Sequence, residues 1–321
     1  MASVMTLIRT CATKKWLTRG HEQRKNLPVL SGAKPAGERR AHNFICKISD
    51  VLREHGFGIE VHGNGPAEAR RHAEFEGWSL FHMEEPWGPR GLTFRRAYHY
   101  PFWGLEPSGA RWEWNVAHTP FEGQRIDRKE DKRFFRYWRE RLFGEVLGDL
   151  AEEGFVYVAL QGWLTERRSF QACSPLEMIE TVLRCDVRPV VAALHPKECY
   201  TEAELAALQR MEDAHPRLTV VMGEMERLLP RCDYVVTMNS SVAFNGYFLE
   251  KPAVLFAGVD FHHIALDARE DLEAALRDPL AHRPDYEGYL WWFWQEMSIN
   301  AGRPEAEDKI LATLKRAGMP I

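Results

Sequence analysis

Two short stretches of this sequence combine residue types that could hold an oxyanion. The first, Ala193-Leu194-His195-Pro196-Lys197-Glu198, is an apolar run that ends in an imidazole and an ammonium group. The second, Thr237-Met238-Asn239-Ser240-Ser241-Val242-Ala243, places an amide and two hydroxyls where an apolar run passes into a helical pattern. A helix start presents unsatisfied N–H groups and the positive end of the helix dipole, so hydroxyls there can converge with backbone donors on a phosphate. His195 and Lys197 would add positive charge, and the set would hold a phosphate without a metal ion. Each stretch also has an ordinary reading. His-Pro after a strand is a common turn, and Ser-Ser before a helix is a common N-cap. Glu224, after a further apolar run, is placed to meet a ribose hydroxyl, or else to sit as a solvated first-turn carboxylate favoured by the dipole.

Chemistry on a hydroxyl acceptor also needs a base. The segment Tyr98-His99-Tyr100-Pro101-Phe102-Trp103-Gly104-Leu105-Glu106 is the best candidate region. Tyr98, His99 and Trp103 offer rings on which a sugar could pack, and Glu106 could accept the proton, with His99 and Asp127 as rivals. The plainer reading is a surface hydrophobic cluster beside an ordinary carboxylate. Other motifs carry less. His62-Gly63-Asn64-Gly65-Pro66 opens like a dinucleotide loop, but Glu68 stands at the third glycine position, so a nicotinamide or flavin cofactor is disfavoured. His262-His263 should point two ways and lacks a third ligand, so no metal site is expected there. No strand-end D-x-D, no G-x-x-x-x-G-K-[ST] and no G-x-S-x-G is present, which argues against metal-dependent transferases, P-loop NTPases and α/β-hydrolases.

These residues need a scaffold, and the second half of the chain supplies its pattern. Apolar runs at Gly154–Leu160, Arg188–Leu194, Leu218–Met222, Tyr234–Met238 and Ala253–Ala257 read as strands. Helical patterns at Pro175–Arg184, Thr201–Ala214, Glu224–Leu229 and Ser241–Leu249 lie between them. Strands that are apolar throughout and alternate with helices predict a parallel sheet covered on both faces. In such a sheet ligands bind beyond the C-terminal strand ends, which is where His195 and Ser240 fall. In the first half, a strand at Asn26–Leu30, a helix with Phe44, Ile45, Ile48, Val51 and Leu52 on one face, and a strand at Phe57–His62 predict a second unit of the same kind. Residues 85–125 read as loops and short strands on a binding face, and Arg128–Leu150 as a bridging helix. The expected fold is α/β, with two Rossmann-like lobes and a cleft between them: an arm at 1–26, a first domain at 27–150, and a second domain at 151–321 that includes the terminal helices.

Composition bounds the function. The formal charge is 42 − 46 = −4, so no overall basic charge points to nucleic acid. Residues 1–40 hold nine Lys/Arg and two Glu, giving +7, so the remainder is 33 − 44 = −11. A basic arm on an acidic body could touch anionic lipid, or be a solvated tail or a start placed too early. The six cysteines form no C-x-x-C, no leader pattern opens the chain, and no run nears the ~20 apolar residues of a membrane span. The expected location is the cytoplasm, with peripheral contact at the inner membrane face.

The stretches "YVALQGW", "LHPKE", "CDYVVTMNSSVAFNGYFLEKPAVLFAG" and "YLWWFWQEMSIN" resemble the capsular polysaccharide biosynthesis proteins, a group that includes bacterial β-Kdo transferases of GT-B architecture. They lie in scattered blocks over Val156–Asn300, about half of the chain, and the block Asp233…Asn239-Ser240-Ser241…Lys251-Pro252 is the most specific. The His-Pro and Ser-Ser pair is also similar to the nucleotide-binding motifs of CMP-sialic acid transferases. The resemblance implies that His195, Ser240 and Ser241 hold the phosphate of a CMP-sugar donor, with a Kdo-like sugar and a glycan or lipid-linked acceptor. This sequence departs from the family in the polar, Asp/Ser-containing segment that usually follows the glutamine, since Gln161 is followed by Gly162-Trp163-Leu164-Thr165. The expected activity is that of a metal-independent glycosyltransferase, with no cofactor beyond the donor. The alternatives are a nucleotide-sugar epimerase, which would need no glycan acceptor, and a non-catalytic capsule assembly or export factor.

Overall fold

Two six-stranded sheets, one wholly parallel and one mixed, organise the protein. The structure, a computed structural model, describes residues 6–12, 36–63, 77–123 and 128–321. The chain divides into two units, Met1–Asn115 with Trp294–Ile321, and Val116–Phe293. The first boundary therefore falls at Asn115/Val116, where the sequence pattern puts it at 150/151. No described helix is long and apolar enough to cross a membrane.

The first unit begins with strand β1 (Thr6–Ala12), helix α1 (Ala36–Glu54) and strands β2 (Phe57–Gly63), β3 (Trp78–His82), β4 (Gly91–Arg96) and β5 (Phe102–Glu106). Phe44, Ile48, Val51 and Leu52 form the buried face of α1, and Gly56, at φ 82°, ends the helix where a side chain would be strained. β1 pairs antiparallel with both β2 and β3, β3 pairs parallel with β4, and β4 antiparallel with β5. This corrects two expectations. The unit is not a parallel Rossmann-like sheet, because the path from β1 through α1 returns antiparallel. Thr6–Ala12 is also a strand inside the sheet, where the sequence pattern places an arm. The rest of that arm, the expected strand Asn26–Leu30, Asn64–Pro66 and Asp127 lie outside the described residues.

Helix α2 (Asn115–His118) carries the chain across the boundary, and the second unit continues with α3 (Arg128–Phe143), which buries Phe134, Phe135 and Trp138 and gives way to a 3-10 segment at Gly144–Asp149. Then come β6 (Val156–Ala159), α4 (Pro175–Cys185), β7 (Val190–Leu194), α5 (Glu202–Ala214), β8 (Leu218–Met222), α6 (Met225–Leu228), β9 (Tyr234–Thr237), α7 (Ser241–Phe248), β10 (Ala253–Leu255), β11 (Leu266–Asp267) and α8 (Tyr286–Trp291). The strand order is β8-β7-β6-β9-β10-β11, and every neighbouring pair is parallel. β6, β9 and β10 are buried along their whole length, as a sheet covered on both faces requires. Capping boxes start two helices: Ser174 with Glu177 opens α4, and Thr201 with Glu204 opens α5.

At the N-terminal edge of this sheet, Arg188 pairs with Asp186 at 2.7 Å and Asp233 at 2.9 Å, and the Tyr234 hydroxyl donates to Asp186 at 2.7 Å. Gly154 N–H donates to Asp233, and Arg217 donates to the carbonyls of Leu183, Asp186 and Arg188. These bonds fasten the starts of four neighbouring strands.

The chain then returns to the first unit. The Trp294 ring stacks on Phe102 at 4.3 Å and its indole N–H donates to Ala97 O at 2.9 Å. Strand β12 (Ile299–Asn300) pairs antiparallel with β5, and α9 (Ala306–Arg316) adds Ala306, Ile310 and Leu314 to the core around Phe44 and Trp103. Residues 294–321 thus belong to the first unit, not to the second domain, 151–321, that the sequence pattern predicts.

Candidate functional site

Read along the chain, the parallel strands of the second unit take the positions 3-2-1-4-5-6 across the sheet, with β6 first and β9 fourth. Chain direction across the sheet reverses between those two, and doubly wound sheets take their ligands beyond the C-terminal strand ends at such a switch point. Ala159 and Thr237 are register partners there. The buried Thr237 hydroxyl donates to Ala159 O at 2.7 Å and accepts the Ser240 N–H at 3.3 Å, so one side chain ties the end of β6 to the turn that starts α7. Ser240 is buried, and its Oγ accepts the Val242 N–H at 3.3 Å, making it the N-cap of α7. Asn239 donates to Gly258 O at 3.4 Å. Ser241, the first helical residue, is exposed, so its hydroxyl is the one open to a ligand.

His195 follows β7, on the other side of β6. The sequence pattern treats the two candidate turns as neighbours, but β6 runs between them, and two strand spacings separate them by about 10 Å. The His195 N–H donates to the Tyr200 hydroxyl at 2.8 Å, and its Nδ1 accepts the Lys197 N–H at 3.2 Å. A neutral imidazole that accepts at Nδ1 carries its proton at Nε2, so this half-buried ring has a donor to offer. Lys197 is exposed on the same turn. Burial pushes the Tyr200 hydroxyl above its ordinary pKa.

What fills the gap is the loop after β6, and the sequence patterns miss its role. Gln161 Oε1 is buried with no hydrogen-bond partner. Gly162 backs onto the His195 turn, where an added Cβ would lie 2.9 Å from the Glu198 carboxylate. Further on, Ala172 N–H donates to Phe256 O at 2.8 Å and Gly258 N–H to Phe170 O at 2.9 Å, so the loop runs from β6 past the end of β9 to the end of β10. Within it Gln171, only 2% exposed, accepts the Arg168 N–H at 2.8 Å, while its own Nε2 has no partner. Burial lowers the Arg168 pKa, with Glu198 opposing, and its guanidinium lies 4.9 Å over the Phe170 ring. Glu198, Gly162 and Arg168 thus join the loops after β6 and β7.

Not every expected residue comes to this switch point. Glu224 follows the edge strand β8, two strands from β6, and pairs with Arg227 through its carboxylate. It is exposed at φ 64° and caps the four-residue α6 without a side-chain bond, so a ribose contact beside Ser241 is not supported. The acceptor-side group lies in the first unit. Trp103 is 1% exposed and stacks on Phe44 at 4.8 Å, which makes it core and not a platform for a sugar. Glu106 is 8% exposed and accepts the Asn115 N–H of the same unit at 3.3 Å, so its carboxylate is engaged by the backbone instead of lying open as a base. Tyr98, at φ 70°, faces the Arg111 guanidinium at 4.5 Å, and that guanidinium also lies 4.5 Å over Trp114. His99 sits edge-on to Trp294.

The His262 and His263 rings stack at 4.3 Å and 21° and do not point apart as adjacent residues suggest. Their Nδ1 atoms face Val259 O at 2.8 Å and the Tyr289 hydroxyl at 3.0 Å. Among the described residues, no group of three or more His, Cys, Asp or Glu could hold a metal ion. Compared with known proteins, the sequence matches no protein-family profile and no curated protein.

Proposed function

We propose that the chain is a glycosyltransferase whose second unit binds a CMP-activated acidic sugar at the switch point between β6 and β9. The observation that carries this reading is the strand order. It gathers the start of α7, the exposed Ser241, Asn239, the unpartnered Gln161 oxygen and the Nε2 proton of His195 along one edge, where doubly wound sheets take their ligands. The first turn of this sheet is a loop over residues 160–174 and not a tight glycine turn, which disfavours a dinucleotide.

In the reaction, the acceptor's hydroxyl oxygen bonds the anomeric carbon as the bond from that carbon to the phosphate oxygen breaks; CMP leaves with the electron pair and the hydroxyl proton is released to water. Negative charge grows on the leaving CMP phosphate. Backbone N–H groups of α7, Ser241 and His195 stabilise it, with Lys197 adding positive charge, and fixed donors of this kind need no reorganisation as the charge develops. The acceptor is a glycan or a lipid-linked glycan, and the basic N-terminal residues offer contact with an anionic membrane face.

The test is a thermal-shift panel of CMP, UDP, GDP and ADP, each with and without Mg²⁺. A ligand at 100 times its Kd stabilises by about 2.7 kcal/mol, so CMP should raise the Tm and the metal should add nothing. His195→Ala should lower CMP-sugar turnover by about 10²–10³-fold in a fold that survives. Stabilisation by UDP with Mg²⁺ alone, or by none of the four, refutes the proposal.

A further inference from the structure

Trp163 stands out on the C-terminal edge of the parallel sheet. It is 57% exposed, and its backbone is held at φ 65°, a region that bulky side chains seldom adopt. Among the described residues its indole contacts no other ring. Its neighbours are fixed on both sides. Gly162 is buried against Glu198, and Leu164 is fully buried, its N–H donating to Glu204 Oε1 at 2.6 Å and its carbonyl accepting the Leu176 N–H at 3.1 Å. Glu204 is itself bound by the Thr201 N–H and hydroxyl at 2.8 Å each, bonds that hold its carboxyl below the usual carboxylate range. The backbone is therefore pinned in an unfavourable conformation that keeps a large apolar ring in water. Strain and exposure of this kind persist where the surroundings over-determine them, and they concentrate at ligand sites.

The location supplies the ligand chemistry. Trp163 is one residue from Gly162, which abuts the His195 turn, and four residues past Ala159, the register partner of Thr237. We infer that Trp163 is the stacking platform for the heteroaromatic base of the bound nucleotide, a role that rests on the nucleotide site proposed above. An indole face stacks on any base, so this contact supplies affinity and leaves the choice among bases to other groups.

The experiment is calorimetric titration of the full chain with CMP, UMP, AMP and ribose 5-phosphate. Trp163→Ala should weaken the three nucleotides by about 10- to 100-fold and leave ribose 5-phosphate unchanged, because only the nucleotides carry a base. Trp163→Phe should keep most of the affinity. Trp163→Gly, which suits a positive φ, should fold as well as the wild type and still lose the nucleotides. Wild-type nucleotide affinity in Trp163→Ala and Trp163→Gly, alongside a loss in His195→Ala, overturns this inference alone. Equal weakening of ribose 5-phosphate also overturns it. A wild-type chain that binds no nucleotide overturns the nucleotide site and this inference together.

Discussion

His263 makes the stability of the second unit depend on pH in a way that can be isolated. The residue follows β10, with its ring stacked on His262, edge-on to Trp292 at 5.1 Å, and its Nδ1 at 3.0 Å from the Tyr289 hydroxyl. Burial, and then the neighbouring His262, push its pKa from 6.5 down to about 4, against backbone groups of Thr119 and Val116 that favour the charged form. In the unfolded chain the ring titrates near its ordinary value. As the pH falls below 6.5 the unfolded state therefore takes up a proton that the folded state refuses, and folding stability drops until the pH reaches about 4. The gap between the two values, at ~1.36 kcal/mol per pH unit, makes the full loss about 3 kcal/mol. The assay is urea unfolding, followed by tryptophan fluorescence, at pH 7 and pH 4.5 for the wild type and His263→Gln, which keeps a polar amide and cannot titrate. Carboxylates contribute to both proteins, so the difference between them isolates the imidazole. The wild type should lose about 2–3 kcal/mol more than the variant over this interval. Equal losses would refute the assignment.

Two further outcomes follow from the packing. Arg188→Ala leaves the carboxylates of Asp186 and Asp233, 4% and 5% exposed, without their cation, and should cost about 3–5 kcal/mol in urea unfolding, part of it recovered by adding Asp186→Asn. An unchanged midpoint in Arg188→Ala would show that the network contributes nothing. Removing residues 1–12 takes β1 out from between β2 and β3 and exposes an unpaired strand edge, so the truncated protein should aggregate or lose its β signal in circular dichroism; a soluble product with the wild-type spectrum would count against β1 as part of the sheet.

The second unit was readable because its signals are local. Its strands are short apolar runs, and the Ser174/Glu177 and Thr201/Glu204 boxes announce their helices within four residues. Helix and strand limits therefore agree with the sequence pattern to a few residues. Strand order is not local. Nothing between Val190 and Thr237 says that β6 will lie between β7 and β9, so the distance between His195 and Ser240 and the place of Gln161–Trp163 could come only from the fold. The first unit hid its sheet for a different reason. Phe94, Phe102, Trp103 and Leu105 are core residues on adjacent strands, and aromatic residues crowded among Gly and Pro show no clean alternation and read as loop. β12 and α9 join that unit after 178 residues of the other (Val116–Phe293), a closure no local pattern can announce.

The two edges of the parallel sheet differ in how their polar groups are satisfied, and the difference bears on where a ligand belongs. At the N-terminal edge Asp186, Arg188, Arg217, Asp233 and Tyr234 bond to one another and to strand-start carbonyls. Burial alone would raise the Asp186 pKa, yet the Arg188 N–H, the Tyr234 hydroxyl and the Arg188 guanidinium together hold it below its ordinary value. That edge therefore stabilises the fold, and its contribution is lost only as acid drives the pH below the usual carboxylate range. At the C-terminal edge Gln161 Oε1, Arg168 Nε and Gln171 Nε2 are buried without partners. Buried polar atoms without partners are costly, and a fold that satisfies such groups fully at one edge has the means to do so at the other. The orphaned atoms lie on the loop after β6, which runs past the end of β9, at the edge where the strand order has its switch point and beside a tryptophan held exposed at a strained φ. A ligand with acceptor oxygens, a donor group and an aromatic face would complete that edge, and a CMP-linked sugar carries all three.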